Sequence, residues 1–352
     1  MFQNNQSLEK FFLGSLIKEI NEESKNSEET RITISNVNFN KNLEKNSGNN
    51  LNKSSNDISS LNYITKEEIF NYLSKQKTGI LLQNKIKEVN NEEIAFILNE
   101  LKGFFSKIMK DKNGNYFTKD LFKLCNFQQR LIILKEISKD FISLSIHHFS
   151  THPIQTLIEL CKNDEEYKII NSVFYDNKNF LLLCLNSNGS FVIQKIISII
   201  PKNKREIIND LLIKNFKILV CDMYGVCILK KFIIFSKNIF QKVIFCFFQD
   251  FEKICEDKYG NYFIQFILEL YWDKKEIIWI KNSIIRNFLN FAINQYASHV
   301  CEAYINLCTL QEKKLLLKYL VENGIYYILL NNVYGLFIIG KLNCCKNNQN
   351  LS

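Results

Sequence analysis

Polar and aromatic side chains recur in threes along the chain, at a spacing that gathers them on one side of a helix. The two clearest trios are Asn261, Tyr262, Gln265 and Ser298, His299, Glu302. In an α-helix, residues i and i+4 lie on one face, and residue i+1 is displaced by about 100°. Each trio therefore places hydrogen-bonding groups beside a flat ring face, which is the chemistry of binding.

The histidines and cysteines form no recognisable metal site or catalytic motif. Four histidines occur, and His148 and His152 are four residues apart without an HExxH motif. The eleven cysteines include no CxxC pair, so we predict that most of them are small buried hydrophobic residues. No GxGxxG or GxxxxGK phosphate loop is present. We expect no metal, no cofactor and no enzymatic activity.

The elements that position the trios belong to a repeat. The window DKYGNYFIQFIL at 257–268 recurs as DKNGNYFTKDLF, NSNGSFVIQKII, DMYGVCILKKFI, NQYASHVCEAYI and NNVYGLFIIGKL, with the weaker copies HHFSTHPIQTLI and SKQKTGILLQNKI. In each window the small residue that closes the turn is called the marker here. The markers are Thr78, Gly114, Ser150, Gly189, Gly225, Gly260, Ala297 and Gly335. Successive markers lie 35 to 39 residues apart, which indicates eight structural repeats.

A second recurring element precedes each window. Segments such as NKREIINDLLI and QEKKLLLKYL are polar at their start and then apolar at helical spacing. Each repeat is predicted to contain this first helix, a short turn or helix, and a third helix of about 12 residues formed by the window. Such a unit cannot bury its apolar stripe alone, so the repeats must stack. The predicted fold is an all-α curved solenoid, or superhelix, of about eight three-helix repeats.

Positions in the third helix are counted from the marker. The third and fourth residues after it are apolar in most windows, for example Phe263-Ile264 and Val192-Ile193. We expect this pair to face the core, which places the first, second and fifth residues together on the exposed inner face. These three are called the reading positions. Glycine at the marker is expected to allow a tight turn or close helix packing.

Composition excludes some classes of protein and indicates three segments in the 352-residue chain. Hydrophobic residues make up 46%, the net charge is +9, and there are 2 prolines and 11 glycines, which excludes collagen-like and wholly disordered classes. Residues 1–60 are predicted to be a polar, mostly disordered tail with a short docking helix at 8–20. Residues 61–343 form the repeat domain and 344–352 a short tail. Because no 18-residue apolar run lacks charge and no signal peptide is recognisable, we expect a cytoplasmic protein that spans no membrane.

The windows resemble those of the Pumilio (PUF) family of RNA-binding proteins. The resemblance is most specific at DKYGNYFIQ and YASHVCE, strong at GNYFTK and GSFVIQ, and weakest in the first repeat. It covers all eight repeats, roughly residues 62–342. It implies a Pumilio-type solenoid that reads single-stranded RNA with one base per repeat. In that family the first and fifth residues bond the base edge, the second stacks on bases, and the RNA runs antiparallel to the protein.

The resemblance assigns roles residue by residue. The implied base-edge residues are Asn115, Lys119, Thr151, Gln155, Ser190, Gln194, Asn261, Gln265, Ser298 and Glu302. The implied stacking residues are Tyr116, His152, Phe191, Tyr262, His299 and Phe337. An ionised Glu302 only accepts and suits the two donors of guanine, whereas Asn261 and Gln265 donate and accept, which suits uracil. Repeats seven and six thus predict a 5′-GU-3′ step, and the trios of repeats three and four resemble adenine readers.

Three repeats depart from this pattern. Their reading positions hold Gly79, Ile80, Gln83 in repeat one, Val226, Cys227, Lys230 in repeat five, and Leu336, Phe337, Gly340 in repeat eight. Repeat five has no pair that can bond a base edge, and its lysine can reach only a phosphate or a base acceptor. Repeat eight retains stacking alone. Repeat two carries Lys119 where the family favours an amide.

The resemblance implies sequence-selective binding of single-stranded RNA on the concave face. The implied targets are GU-containing elements in untranslated regions of mRNA, bound by a monomer that works with corepressor proteins in translation repression or decay. One alternative is a degenerate Pumilio-fold protein of ribosome biogenesis, which would be nucleolar and bind structured RNA. The other is a protein-interaction scaffold of the HEAT or armadillo kind. A scaffold has no reason to keep guanine-type and uracil-type trios in adjacent repeats, so the trios favour RNA.

Overall fold

Helices are the only regular elements in the part of the chain that the computed structural model describes, residues 64–236 and 239–343. Its 23 α-helices fall into eight repeats. Repeats one to four contain α1 (Lys66–Leu73) and α2 (Gln76–Ile86); α3 (Asn91–Glu100), α4 (Phe105–Met109) and α5 (Gly114–Leu124); α6 (Phe127–Ile137), α7 (Phe141–Ile146) and α8 (Thr151–Leu160); α9 (Asp164–Ser172), α10 (Asn177–Cys184) and α11 (Ser187–Ile199). Repeats five to eight contain α12 (Glu206–Lys214), α13 (Phe216–Val220) and α14 (Met223–Ile234); α15 (Phe240–Phe247), α16 (Phe251–Cys255) and α17 (Gly260–Tyr271); α18 (Ile278–Arg286), α19 (Phe288–Ala292) and α20 (Ala297–Leu307); α21 (Leu310–Glu322), α22 (Ile325–Leu330) and α23 (Val333–Asn343).

The third helices of the repeats form one continuous row. Each packs against the third helix of the next repeat, from α2 against α5 to α20 against α23. Beneath them the buried apolar residues join into a single core that runs from Ile64 to Leu342. The predicted pair after the marker belongs to it, since Phe263 and Ile264 are fully buried. The prediction of an all-α solenoid with eight repeats is confirmed.

The start of the third helix is fixed by an aspartate or asparagine three residues before the marker. In repeat six, Oδ1 of Asp257 accepts hydrogen bonds from the backbone N–H groups of Tyr259 and Gly260, both at 2.8 Å. Six windows share this arrangement, with Asp111, Asn186, Asp222, Asp257, Asn294 and Asn332 as the acceptors. A helix start leaves such N–H groups without intrahelical partners, so this side chain stabilises the helix that carries the trio.

The marker is small because a backbone carbonyl six residues earlier approaches it closely. A Cβ on Gly260 would lie 2.6 Å from the oxygen of Ile254. In repeat three the marker is instead Ser150, whose hydroxyl donates to the oxygen of Leu144 at 2.6 Å. Among the described glycines, positive φ occurs only at Gly103 and Gly324, neither of which is a marker. Close packing, and not a left-handed backbone conformation, therefore accounts for glycine at the marker.

Polar bonds also join neighbouring repeats. Nε of Arg130 in repeat three donates to Oε1 of the buried Glu166 in repeat four, at 2.8 Å. The side-chain amide of Asn188 in repeat four donates to the oxygen of Ile146 in repeat three, at 2.9 Å. Because such buried groups are costly to leave without partners, these bonds favour one relative placement of the two repeats.

The predictions for the two chain ends lie outside the described residues. They concern the polar tail at 1–60, the docking helix at 8–20 and the short tail at 344–352, so the predicted domain boundaries stay predictions. Among the described helices, no single one is long and apolar enough to cross a membrane. One helix pair, α10 with α11, reaches that length and composition together, but its halves meet at a bend of 107°.

Candidate RNA interface

In six of the eight repeats the second reading position presents a ring along the row of third helices. Tyr116 is 56% exposed, Phe191 46% and Phe337 64%. His152 and His299 are also exposed, whereas Tyr262 is half-buried. The cap and the marker fix where each helix begins, and the buried apolar pair fixes its rotation about its axis. Consecutive repeats therefore present these rings in equivalent places, as stacking on successive bases would require.

In repeats one to seven the first reading position is not exposed, so for these repeats the prediction that it shares the open face is wrong. The residues there are nearly inaccessible: Asn115 1%, Thr151 3%, Ser190 1%, Asn261 1% and Ser298 3%. The physical reason is the next repeat, whose third helix packs against this side. In repeat three, for example, the hydroxyl of Thr151 donates to the backbone oxygen of Asn188 in repeat four, at 3.4 Å. Their role in contacting bases stays a prediction.

Buried asparagines at the first position have a defined orientation. Nδ2 of Asn261 donates to the backbone oxygens of Asp257 and Lys258, at 2.8 and 3.0 Å. These bonds use both amide hydrogens, so Oδ1 is left as the group that faces the fifth position. There it accepts a hydrogen bond from Nε2 of Gln265 at 2.8 Å. In repeat six, the buried asparagine thus holds the glutamine amide that remains accessible to a ligand.

Hydroxyl residues at the first position are bonded inwards in a similar way. Oγ of Ser190 donates to the backbone oxygen of Ser187 at 3.0 Å, and Oγ of Ser298 donates to that of Gln295 at 3.3 Å. In repeat three, Oγ1 of Thr151 accepts from Nε2 of Gln155 at 3.3 Å. The fifth residue, which is half-buried in these repeats, is therefore the main hydrogen-bonding group offered to a base.

A cavity of about 170 Å³ lies between the third helices of repeats six and seven. Its lining includes Gln265 and Glu269 from α17 and His299, Glu302 and Asn306 from α20. Nδ1 of His299 lies 3.5 Å from Oε1 of Glu302, which positions the carboxylate beside the ring. The structure thus brings the predicted uracil-type amide and guanine-type carboxylate into one groove. The sequence analysis missed Glu269 and Asn306, although each lies one helical turn after a fifth-position residue.

The two lysines at fifth positions both lie near rings. Nζ of Lys119 is 5.9 Å from the ring centroid of Tyr116 in its own repeat. Nζ of Lys230 is 5.9 Å from the ring centroid of Tyr262 and 5.6 Å from that of Phe266, both in repeat six. Separations of this size permit a weak cation–π attraction. Both ammonium groups therefore belong to the same row of groups as the rings.

The reading positions of repeat eight are the most open. Leu336 at the first position is 51% exposed, unlike its buried counterparts in the interior repeats, and Gly340 at the fifth is also exposed. No described helix packs beyond α23, so nothing in residues 64–236 and 239–343 covers this side of it. The contrast supports the assignment of burial at the first position to the following repeat.

One imidazole on the row of rings and two buried thiols are held in their neutral forms. His152 is exposed overall, but the partial desolvation of its ring, together with the charge of Lys119, lowers its pKa, so the ring is neutral at neutral pH. Burial raises the pKa of Cys125 to about 12 and that of Cys161 to about 12, which removes them as nucleophiles. Six of the nine described cysteines are buried, in line with the prediction for most cysteines. Within residues 64–236 and 239–343, no group of three or more His, Cys, Asp or Glu residues could hold a metal ion.

A family model described as the Pumilio-family RNA binding repeat matches this sequence in five segments. They are residues 81–102, 105–138, 179–212, 251–278 and 287–320. The matched segments contain the complete reading trios of repeats two, four, six and seven. The windows of repeats three, five and eight lie outside them. Two of these three, repeats five and eight, are also repeats whose trios depart from the family pattern.

Curated relatives and solved structures give the same result. The chain is 26% identical over 275 residues to Pumilio homolog 12 of Arabidopsis thaliana, covering 76% of this chain and 45% of that protein. It is 23% identical over 239 residues to Suppressor protein MPT5 of Saccharomyces cerevisiae, covering 64% of this chain and 27% of that protein. The chain thus spans about half the length, or less, of these curated relatives.

Among solved structures, the chain is similar to the Puf4 RNA binding domain bound to the HO endonuclease RNA 3′ UTR recognition sequence. The TM-score is 0.74 at 22% identity, covering 81% of this chain and 89% of that one. For the RNA-binding domain of yeast Puf5p bound to AAT2 RNA, the TM-score is 0.66 at 21% identity, covering 80% and 84%. These likenesses show a shared fold.

Proposed function

The chain belongs to the Pumilio (PUF) family, and from this membership we propose that it binds single-stranded RNA along its row of third helices, one base per repeat. The exposed rings supply stacking, which is worth roughly 1–3 kcal/mol per base in single-strand binders. The fifth residues supply hydrogen bonds to base edges. The proposal assigns no catalytic step to the chain.

The groove between repeats six and seven carries the proposal. It combines an amide held by a buried asparagine, Gln265, with a carboxylate beside a ring, Glu302. The amide both donates and accepts, as uracil's edge requires, and the carboxylate accepts from the two adjacent donors of guanine. With the RNA antiparallel to the protein, these two repeats select 5′-GU-3′. A peptide-binding scaffold would not need this pairing of chemistries.

The neighbouring repeats extend the proposed motif. Gln155 and Gln194 stand at the fifth positions of repeats three and four beside small hydroxyl residues, a combination that we assign to adenine. Repeat five lacks a pair of side chains that can bond a base edge, so we assign no particular base to the position opposite it. The motif read by repeats seven to two is then 5′-GUNAAN-3′, where N is unassigned.

In the cell, we propose that the protein recognises an untranslated region of mRNA and acts in translation repression or mRNA decay in the cytoplasm. This role rests on family membership, and it includes corepressor proteins as further partners of a monomeric RNA-binding unit. The observation that favours the second candidate, structured RNA in ribosome biogenesis, is the loss of base-edge pairs in repeats one, five and eight.

Selection from a random single-stranded RNA pool with the full-length protein tests the proposal. We expect enrichment of RNAs in which GU is followed by one base of any kind and then by two adenines. Binding to a duplex of the same sequence should be weaker. Enrichment of structured hairpins without GU would support the ribosome-biogenesis alternative. Absence of RNA binding would support the protein scaffold.

A further inference from the structure

Repeats two and six form a natural matched pair. Both carry Gly-Asn-Tyr-Phe at the start of the third helix, at 114–117 and 260–263. The buried asparagine is bonded alike in both, because Nδ2 of Asn115 donates to the backbone oxygens of Asp111 and Lys112 at 3.1 and 2.7 Å. At the reading positions the two repeats differ only at the fifth residue, which is Gln265 in repeat six and Lys119 in repeat two.

Lys119 occupies the fifth position of repeat two, where repeat six has Gln265. Its ammonium lies near the ring of Tyr116 in repeat two and acts electrostatically on His152, the stacking residue of repeat three. The adjacent carboxylate, Asp120, is paired with Lys123 at 3.2 Å. The ammonium of Lys119 therefore acts on the stacking residues of two consecutive repeats, between which a base would stack.

A lysine changes which base edge fits this place. Its ammonium has three donors and no acceptor. Cytosine is the base whose Watson–Crick edge carries two adjacent acceptors, N3 and O2. Uracil has an N–H donor between its two acceptors, guanine has two adjacent donors, and adenine has one ring acceptor next to an amino group. A donor-only side chain is thus complementary to cytosine, just as the acceptor-only Glu302 is complementary to guanine.

We propose that repeat two selects cytosine, with Lys119 as the specificity-determining residue. Nζ donates to N3 and O2 of the base, which are two adjacent acceptors. The proposal rests on the proposed RNA-binding function and deepens it. The motif becomes 5′-GUNAAC-3′, with the cytosine at its 3′ end.

Four short RNAs of sequence 5′-GUUAAX-3′, which differ only at X, test this assignment by competition binding. The wild-type protein should bind the X = C RNA about tenfold more tightly than the others, the scale of one good base-edge pair. Lys119→Gln recreates the Asn-Tyr-Gln trio of repeat six and should move the preference to X = U. Lys119→Arg keeps a donor-only group and should retain the preference for cytosine.

Lys123→Gln is the matched control, because Lys123 lies on the same helix, is exposed, and pairs with Asp120. It should leave the order of the four RNAs unchanged. Circular dichroism of each variant verifies that the array is folded. If Lys119→Gln weakens binding to all four RNAs equally, Lys119 contacts a phosphate and the inference is wrong, while selectivity for GU stands. If no RNA with GU binds better than one without it, the proposed function itself fails.

Discussion

Repeats five and six are adjacent and share one construction, yet they offer a ligand different surfaces. Each window opens with an aspartate that caps the third helix, Asp222 or Asp257. Each marker is a glycine against a backbone carbonyl. The reading trios, however, are Val226, Cys227, Lys230 and Asn261, Tyr262, Gln265. Residues that build the repeat and residues that face a ligand occupy different helical positions, so either set can change without the other.

The first reading position is the exception, because its residue both builds the repeat and supports a residue that faces a ligand. Val226 is 4% exposed and Asn261 is 1% exposed, so both side chains are buried against the following repeat. Valine needs only apolar neighbours there, whereas the asparagine needs the two carbonyls to which it donates. The position is thus structural in both repeats, and in repeat six it also holds the fifth residue.

The largest expected effect comes from disturbing the construction that the two repeats share. A Cβ on Gly225 would lie 2.7 Å from Cα of Leu219, so Gly225→Val forces backbone apart and should lower the free energy of unfolding by about 3 kcal/mol. Gly340→Val is the control, because nothing lies within 4 Å of its Cβ position. That change should stay within about 0.5 kcal/mol. Guanidinium unfolding followed by circular dichroism measures both, and equal losses would contradict the close-approach explanation.

The next largest effect is a change in base preference when the trio of repeat seven is made similar to that of repeat six. Glu302→Gln with Ser298→Asn gives repeat seven an amide–imidazole–amide trio, close to that of repeat six. The preference opposite repeat seven should move from guanine to uracil, a swing of about 2 kcal/mol, because the carboxylate that accepted from both guanine donors is gone. Competition between two RNAs that differ only at this base measures it. If the variant ranks them as the wild type does, Glu302 does not read a base.

Stacking should distinguish repeats five and six directly. Tyr262→Ala removes a ring and should weaken RNA binding by about 1.5 kcal/mol, within the range of base–aromatic stacking. Cys227→Ala, at the equivalent position of repeat five, removes no ring and should change the affinity by less than about 0.5 kcal/mol, within the range of a minor surface change. Fluorescence anisotropy with a labelled RNA of the proposed motif compares them. A loss at Cys227 as large as that at Tyr262 would show that repeat five holds a base.

The smallest effect concerns the helix caps, which the two repeats share. Asp222→Ala and Asp257→Ala should each reduce the free energy of unfolding by about 1 kcal/mol, since each leaves two N–H groups without their acceptor. Neither should alter base preference. A change of preference in the Asp257 variant alone would mean that the cap also sets the position of the uracil-type trio.

The sequence was sufficient to predict the number of repeats and the rotation of each third helix about its own axis. The period of 35 to 39 residues predicts eight stacked units, and the apolar pair after each marker predicts which side is buried. Rings such as Tyr116 and Phe191 are exposed as that rotation implies. The capping residues could also have been recognised, because an aspartate or asparagine stands three residues before the marker in six windows.

Periodicity, caps and ring exposure are local properties, because they depend on residues within one or two helical turns, and the sequence by itself determined them. The burial of the first reading position was decided only by the tertiary structure, because it arises from a helix one repeat further along the chain. The same holds for the groove that unites Gln265 with Glu302, and for the electrostatic effect of Lys119 on His152 of the next repeat. The local sequence pattern determines the face of the helix on which a side chain lies. The packing of the next repeat determines whether that side chain is exposed to solvent or buried.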